Sequence, residues 1–144
     1  DVSSGLRFHP IEIFVSMLYK IPIIYILGPI PIAVLVFETI LNGMALFSHS
    51  NIALPARLDF LCRKLIVTPD MHRIHHSIEV SETNSNYGFN LSIWDRLLGT
   101  YKEEAIKAQS EIVIGIDAFR HPNELTFYNL LVMPKKYGKL TYVT

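Results

Sequence analysis

This sequence is short of charge. Only 18% of its 144 residues are Asp, Glu, Lys or Arg, against roughly 25% in a typical soluble domain. The charges that are present cancel, so nothing favours a polyanionic partner and nucleic acid is excluded as the electrostatic target. A single cysteine, Cys62, rules out an internal disulfide and an iron–sulfur cluster. No glycine-rich nucleotide fingerprint is present. No signal-peptide pattern opens the chain, and the first residue is Asp1 rather than Met, so a piece of a longer protein is expected.

What the chain has instead is apolar length. From Ile21 to Ala56 the one charged residue is Glu38. Gly28-Pro29 and Pro31 divide the apolar region into "IEIFVSMLYKIPIIYIL" and "IPIAVLVFETILNGMALFSH", each long enough to cross a hydrocarbon core as a helix. The expected fold is mainly α: an integral-membrane helical hairpin with its flanking motif in residues 1–52, then a helical cap in residues 53–144. A pair of buried core helices is the soluble alternative. Lys20 and Pro22 weaken the first span and imply a kink, a tilt or a snorkelling lysine. Arg7, Arg57, Arg63 and Lys64 flank the hairpin and put its open end, and the cap, on the cytoplasmic face.

The cap reads as short helices. "LPARLDFLCRKLIV" places Leu58, Leu61, Cys62 and Leu65 on one side, suited to a membrane surface. Thr68 and Pro69 open a helix expected to reach about Ile78. "VSETNSNYG" reads as a polar loop, "LSIWDRLLGTY" as a short helix closed by Gly99, and "EIVIGI" as a strand or extended run. Asn123 is a possible cap of a last helix.

Three of the six histidines fall within "HRIHH": His72, His75 and His76. On a helix these positions share one face. Three protonated imidazoles there would repel one another, whereas neutral imidazole is a common metal ligand. The zinc-peptidase pattern H-x-x-E-H needs a glutamate where His75 stands, which argues against a simple zinc hydrolase. In the second apolar run Glu38, Asn42, Ala45 and His49 form one stripe. Polar groups at that depth face protein. The stripe reads as a face turned to the protein interior, with a helix–helix hydrogen-bonding seam without chemistry as the alternative, and His49 at its end as a ligand or ligand support.

"LRFHPIE", "FSHSNI", "TPDMHRIHHS" and "NYGFNLSIWDRLLGTY" together resemble successive motifs of the fatty acid hydroxylase/sterol desaturase superfamily, over about the first hundred residues. The resemblance implies an integral-membrane enzyme with two non-haem iron ions. These activate O2 to oxidise a lipid C–H bond, by hydroxylation or desaturation. It makes His49, His72, His75 and His76 iron ligands and leaves His9 either a supporting or structural residue or a fifth ligand. His121 falls outside the motifs. Asn51, Asn86 and Asp95 either orient ligands or build turns. An external electron donor is implied, cytochrome b5-like or ferredoxin-like. The superfamily's two earlier histidine boxes are absent, so the chain reads as the C-terminal part of such an oxygenase, expected to be inactive alone. Sterol, fatty acyl, ether lipid, carotenoid and aldehyde substrates all stay open. A zinc-dependent membrane hydrolase and a non-catalytic membrane metal-binding or structural module are the alternatives.

Overall fold

Proline sets the frame of the two long helices. In the computed structural model, which describes residues 2–115 and 121–137, α1 runs Pro10–Leu27 and α2 runs Pro31–Ser48. Both begin with proline at the first helical position, where a missing N–H costs nothing. Gly28 ends α1 with φ of 58°, a left-handed conformation that glycine adopts without strain. Each helix is 18 residues long, about 27 Å at 1.5 Å per residue. That is close to the roughly 30 Å of a hydrocarbon core. Both have a mean hydropathy of 1.6, and only Ala45 and Ser48 of α2 and no residue of α1 are buried, as expected of helices whose surroundings are apolar. The expected halves and the observed helices differ by one residue at their ends.

Lys20 is the main departure inside the hairpin. Its Nζ lies 2.9 Å from Glu38 Oε1, so it pairs with the neighbouring helix instead of snorkelling. Two opposite charges that meet each other avoid much of the cost of meeting hydrocarbon separately. Asn42 donates to the Glu38 carbonyl of its own helix and is otherwise exposed. The stripe is therefore protein-facing at Glu38, Ala45 and His49 but not at Asn42.

A short 3-10 helix, Val2–Leu6, packs on α2. Gly5 is the contact point: a Cβ there would lie 2.9 Å from the Ala45 carbonyl oxygen and 3.2 Å from His49 Nδ1. Only a residue without a side chain allows that approach.

After α2 come α3 (Ala56–Cys62), α4 (Pro69–His75), α5 (Val80–Thr83), α6 (Ile93–Leu98) and, past a 3-10 turn at Pro122–Leu125, α7 (Phe127–Tyr137). Among the described residues the apolar centre of the cap is small: Val67, Met71 and Ile74 are fully buried. Thr68 caps α4 as expected, its Oγ1 accepting from Met71 N. The helix stops at His75 rather than Ile78 because tertiary pairing competes with it. Ile78 N donates to the Val113 carbonyl and Gly115 N to the His76 carbonyl, drawing the chain out of the helix. The expected strand at "EIVIGI" reduces to that pairing and an isolated bridge between Ser77 and Ile114; Ile116 lies outside the described residues. Part of the expected polar loop is the helical turn α5. Asn123 is not the cap: His121 Nδ1 accepts from Asn123 N, and Thr126 Oγ1 accepts from Asn129 N at the start of α7.

Candidate metal centre

Two helix ends meet at the centre. His49 caps the C-terminus of α2, and its Nδ1 lies 2.8 Å from the Ala45 carbonyl oxygen. A carbonyl only accepts, so Nδ1 carries the proton and Nε2 presents a lone pair. His72 stands on α4 and His76 caps it. The three Nε2 atoms form a nearly equilateral triangle: 3.2 Å from His49 to His72, 3.2 Å from His49 to His76 and 3.1 Å from His72 to His76.

Those edges fit a cation. With metal–nitrogen bonds of about 2.0–2.1 Å, ligands at tetrahedral angles lie about 3.3 Å apart and ligands at right angles about 2.9 Å apart. The observed edges fall between the two. Electrostatics agree with the geometry. Burial, followed by the repulsion of His76, His49 and His75, lowers the pKa of His72 to about 3. Burial, followed by His49 and His75, lowers that of His76 to about 4. Both rings are neutral at physiological pH, the form that binds metal. His72 Nδ1 is buried without a hydrogen-bond partner among the described residues, a cost of about 1–3 kcal/mol.

His75 is placed differently. Its Nδ1 donates to the Ser85 carbonyl at 2.9 Å, and its ring makes an edge contact with Tyr87. It lies beside the triangle, stacked on His72 with ring centroids 5.6 Å apart, but outside the three-nitrogen cluster. The hydrogen bond fixes Nδ1 as the protonated nitrogen and leaves Nε2 as an available donor to metal.

The other two histidines lie outside the cluster. His9 Nδ1 accepts from Ile11 N, capping α1, and its Nε2 lies 3.2 Å from the Leu131 carbonyl, so both nitrogens are committed. His121 caps the 3-10 turn.

The "NYG" and "WDRLLGT" motifs hold the histidine helix in place. Asn86, fully buried with φ of 50°, donates through Nδ2 to the Met71 carbonyl of α4 and to the Lys102 carbonyl, and its Oδ1 accepts from Lys102 N. Asp95, also buried, accepts from Tyr87 N, Gly88 N and Thr100 Oγ1. Its carboxylate ties residues 87–88, just past the Ser85 carbonyl that holds His75, to Thr100. Asn51 accepts from Arg73 Nη2 at the rim. A cavity of about 520 Å³ opens beside His49 and His76, bordered by Asn51, Arg73 and Gly115. The contacts that sequence reasoning missed run through backbones. The Ala45 and Ser85 carbonyls orient two imidazoles, and a carbonyl has no signature in a sequence.

Known proteins resemble this chain. The Fatty acid hydroxylase family matches residues 1–100. An ornithine lipid hydroxylase of Rhizobium tropici is 35% identical over 114 residues, covering 75% of this chain and 32% of its own length. Human alkylglycerol monooxygenase is 27% identical over 131 residues, covering 90% of this chain and 28% of its own length. The chain thus spans about a third of the length of the curated relatives it matches. No solved structure matches it significantly. Two exposed apolar helices in such a chain mark a membrane protein. With its motifs, its histidine cluster and these relatives, the chain belongs to the fatty acid hydroxylase family.

Proposed function

We propose that the whole protein hydroxylates a membrane lipid with O2, and that this chain supplies part of the iron centre. The observation that carries the reading is the triangle of Nε2 atoms from His49, His72 and His76. In this reading these three imidazoles hold one non-haem iron, and His75 Nε2 turns towards a second. Bound iron supplies the O2 activation and C–H cleavage that no side chain here performs. Residues 1–52 cross the bilayer as a hairpin and residues 53–144 cap the site on the cytoplasmic face, as one functional unit.

The chain's own part is positioning. The Ala45 and Ser85 carbonyls fix the tautomers of His49 and His75. Burial keeps His72 and His76 unprotonated. Asn86 and Asp95 hold α4 rigid against the loop that follows it. The hairpin brings the site to the depth at which a lipid diffusing in the membrane presents one carbon. Electrons come from a separate cytochrome b5-like or ferredoxin-like protein. Four clustered imidazoles are few for two iron ions, so the 144-residue chain alone does not turn over.

The activities for which the two relatives are named, on ornithine lipids and alkylglycerols, favour a lipid with a polar head. The test is isotopic. Full-length protein with iron, a reductant system and membrane lipid under 18O2 incorporates label from the gas into a lipid hydroxyl group. Label arriving from water instead would mean hydrolysis, and would favour the zinc-hydrolase reading.

A further inference from the structure

The cap is inside out around α3 and α6. Polar side chains turn inward: Asp59 and Arg63 of the α3 region are buried as an ion pair, and Ser92 and Asp95 of the α6 region are buried as well. Apolar side chains turn outward. Leu58, Leu61 and Leu65 are exposed by 47%, 57% and 68%, and Trp94, Leu97 and Leu98 by 57%, 70% and 76%. The two segments are tied together on their inner side: Ser92 Oγ and Arg96 Nη2 both donate to the Arg63 carbonyl, and Ile66 bridges to Leu91. Water as the only neighbour would select the opposite arrangement.

We propose that this outer face is inserted in the monolayer of the same bilayer that holds the hairpin, with anionic headgroups at its margin. Two observations choose this occupant over a protein. The first is charge. The exposed charged side chains of residues 56–65 and 92–98 are Arg57, Lys64 and Arg96, all basic, while both acids in those segments are buried. Leucine and tryptophan bordered by lysine and arginine is the chemistry of an interfacial helix. The second is continuity. The end of α2 at Ser48 is joined to α3 by only residues 49–55, so the patch follows the hairpin closely along the chain. The inference rests on the hairpin lying in the membrane, though not on the iron chemistry. Docking of this kind fixes the cap at the depth where a lipid chain meets its head, and so sets how far along a chain the site reaches.

Trp94 is the only tryptophan in the sequence, which makes it a depth probe. The 144-residue chain is reconstituted in phosphatidylcholine vesicles, with and without phosphatidylglycerol, and with acyl chains brominated near the glycerol or near the methyl end. An insertion of about 5–10 Å predicts that bromine near the glycerol quenches Trp94 by about half or more, and that the methyl-end bromine quenches it less. Phosphatidylglycerol deepens the quenching at low salt. Leu97→Glu with Leu61→Glu abolishes it while the chain stays in the vesicle fraction. A Trp94→Phe, Tyr25→Trp variant reports on the hairpin. Quenching at position 25 without quenching at Trp94 would overturn the docking and leave the membrane reading standing; no quenching at either position would overturn both. Trp94 shielded from acrylamide but untouched by bromolipid, or Leu97→Cys crosslinking two copies, would give the face to a protein and refute the proposal.

Discussion

His72 Nε2 lies 3.2 Å from His49 Nε2, although the two residues are 23 positions apart and stand on different helices. A cation shared by the two rings is what the proposed metal centre would add to that approach. An Nε2–Nε2 contact supplies at best one weak hydrogen bond, while burial forbids either ring of the His72–His76 pair from charging easily. Replacing His49, His72 or His76 singly by alanine is expected to weaken ferrous or zinc binding by about 100-fold or more, beyond the 10–100-fold typical of supporting residues. Equilibrium dialysis measures it. Undiminished affinity in any one of the three would remove that residue from the site.

His75 separates two roles. Because its ring is turned to the Ser85 carbonyl and lies outside the triangle, His75→Ala leaves the affinity of the three-nitrogen site within about threefold, far below the change expected for loss of a ligand. If the proposed two-iron centre is right, the whole protein carrying the same change holds about one iron and does not turn over. Loss of all metal binding in the isolated chain would place His75 among the first three ligands.

Gly5 and Gly88 report on the support of the site. A Cβ at Gly5 would press on the Ala45 carbonyl that orients His49, and one at Gly88 would lie 2.7 Å from Asp95 Oδ2. Each glycine-to-alanine change is expected to cost about 1–3 kcal/mol of stability. Gly5→Ala in addition weakens metal binding, because it displaces the Ala45–His49 pair. Asp95→Ala costs about 3 kcal/mol or more, since the Tyr87 and Gly88 amides and the Thr100 hydroxyl lose their acceptor together. Chemical denaturation in detergent checks the order. Equal metal affinity in Gly5→Ala and the parent would refute the orienting role of Ala45.

Acid should destabilise the metal-free cap. His72 and His76 have folded-state pKa values of about 3 and 4, below the ordinary 6.5. As pH falls below 6.5 the unfolded chain takes up protons that the folded chain refuses, so stability declines with falling pH and continues to decline until the folded pKa values are passed. Thermal melts between about pH 7 and about pH 4.5 show the decline. A His72→Ala, His76→Ala double variant shows a shallower slope. Identical slopes would mean that these two rings do not hold the depressed values.

Much of this was legible in the sequence, for physical reasons that vary by element. The hairpin was, because proline and glycine punctuate two apolar runs, each of a length that matches a hydrocarbon core. The start of α4 was, because Thr68-Pro69 is a local cap. Its end was not, because residues 77–78 are taken by the 113–115 segment, a tertiary contact with no local mark. The union of His49 with His72 and His76 followed from the helical stripe and the histidine spacing. The separate setting of His75 did not, because it depends on a backbone carbonyl. Lys20 read alone suggested snorkelling, whereas its partner Glu38 stands on the next helix.

The most direct test of the account is metal loading of the chain itself. The 144-residue chain and its His49→Ala, His72→Ala, His76→Ala triple variant are reconstituted in lipid, loaded anaerobically with ferrous iron and freed of excess. Metal is counted per chain, and X-ray absorption reads the coordination. One tightly held iron with imidazole scattering, absent from the triple variant and giving no lipid oxidation in air, is the predicted result. Equal iron in both chains would contradict the account, and so would two irons with turnover in the parent.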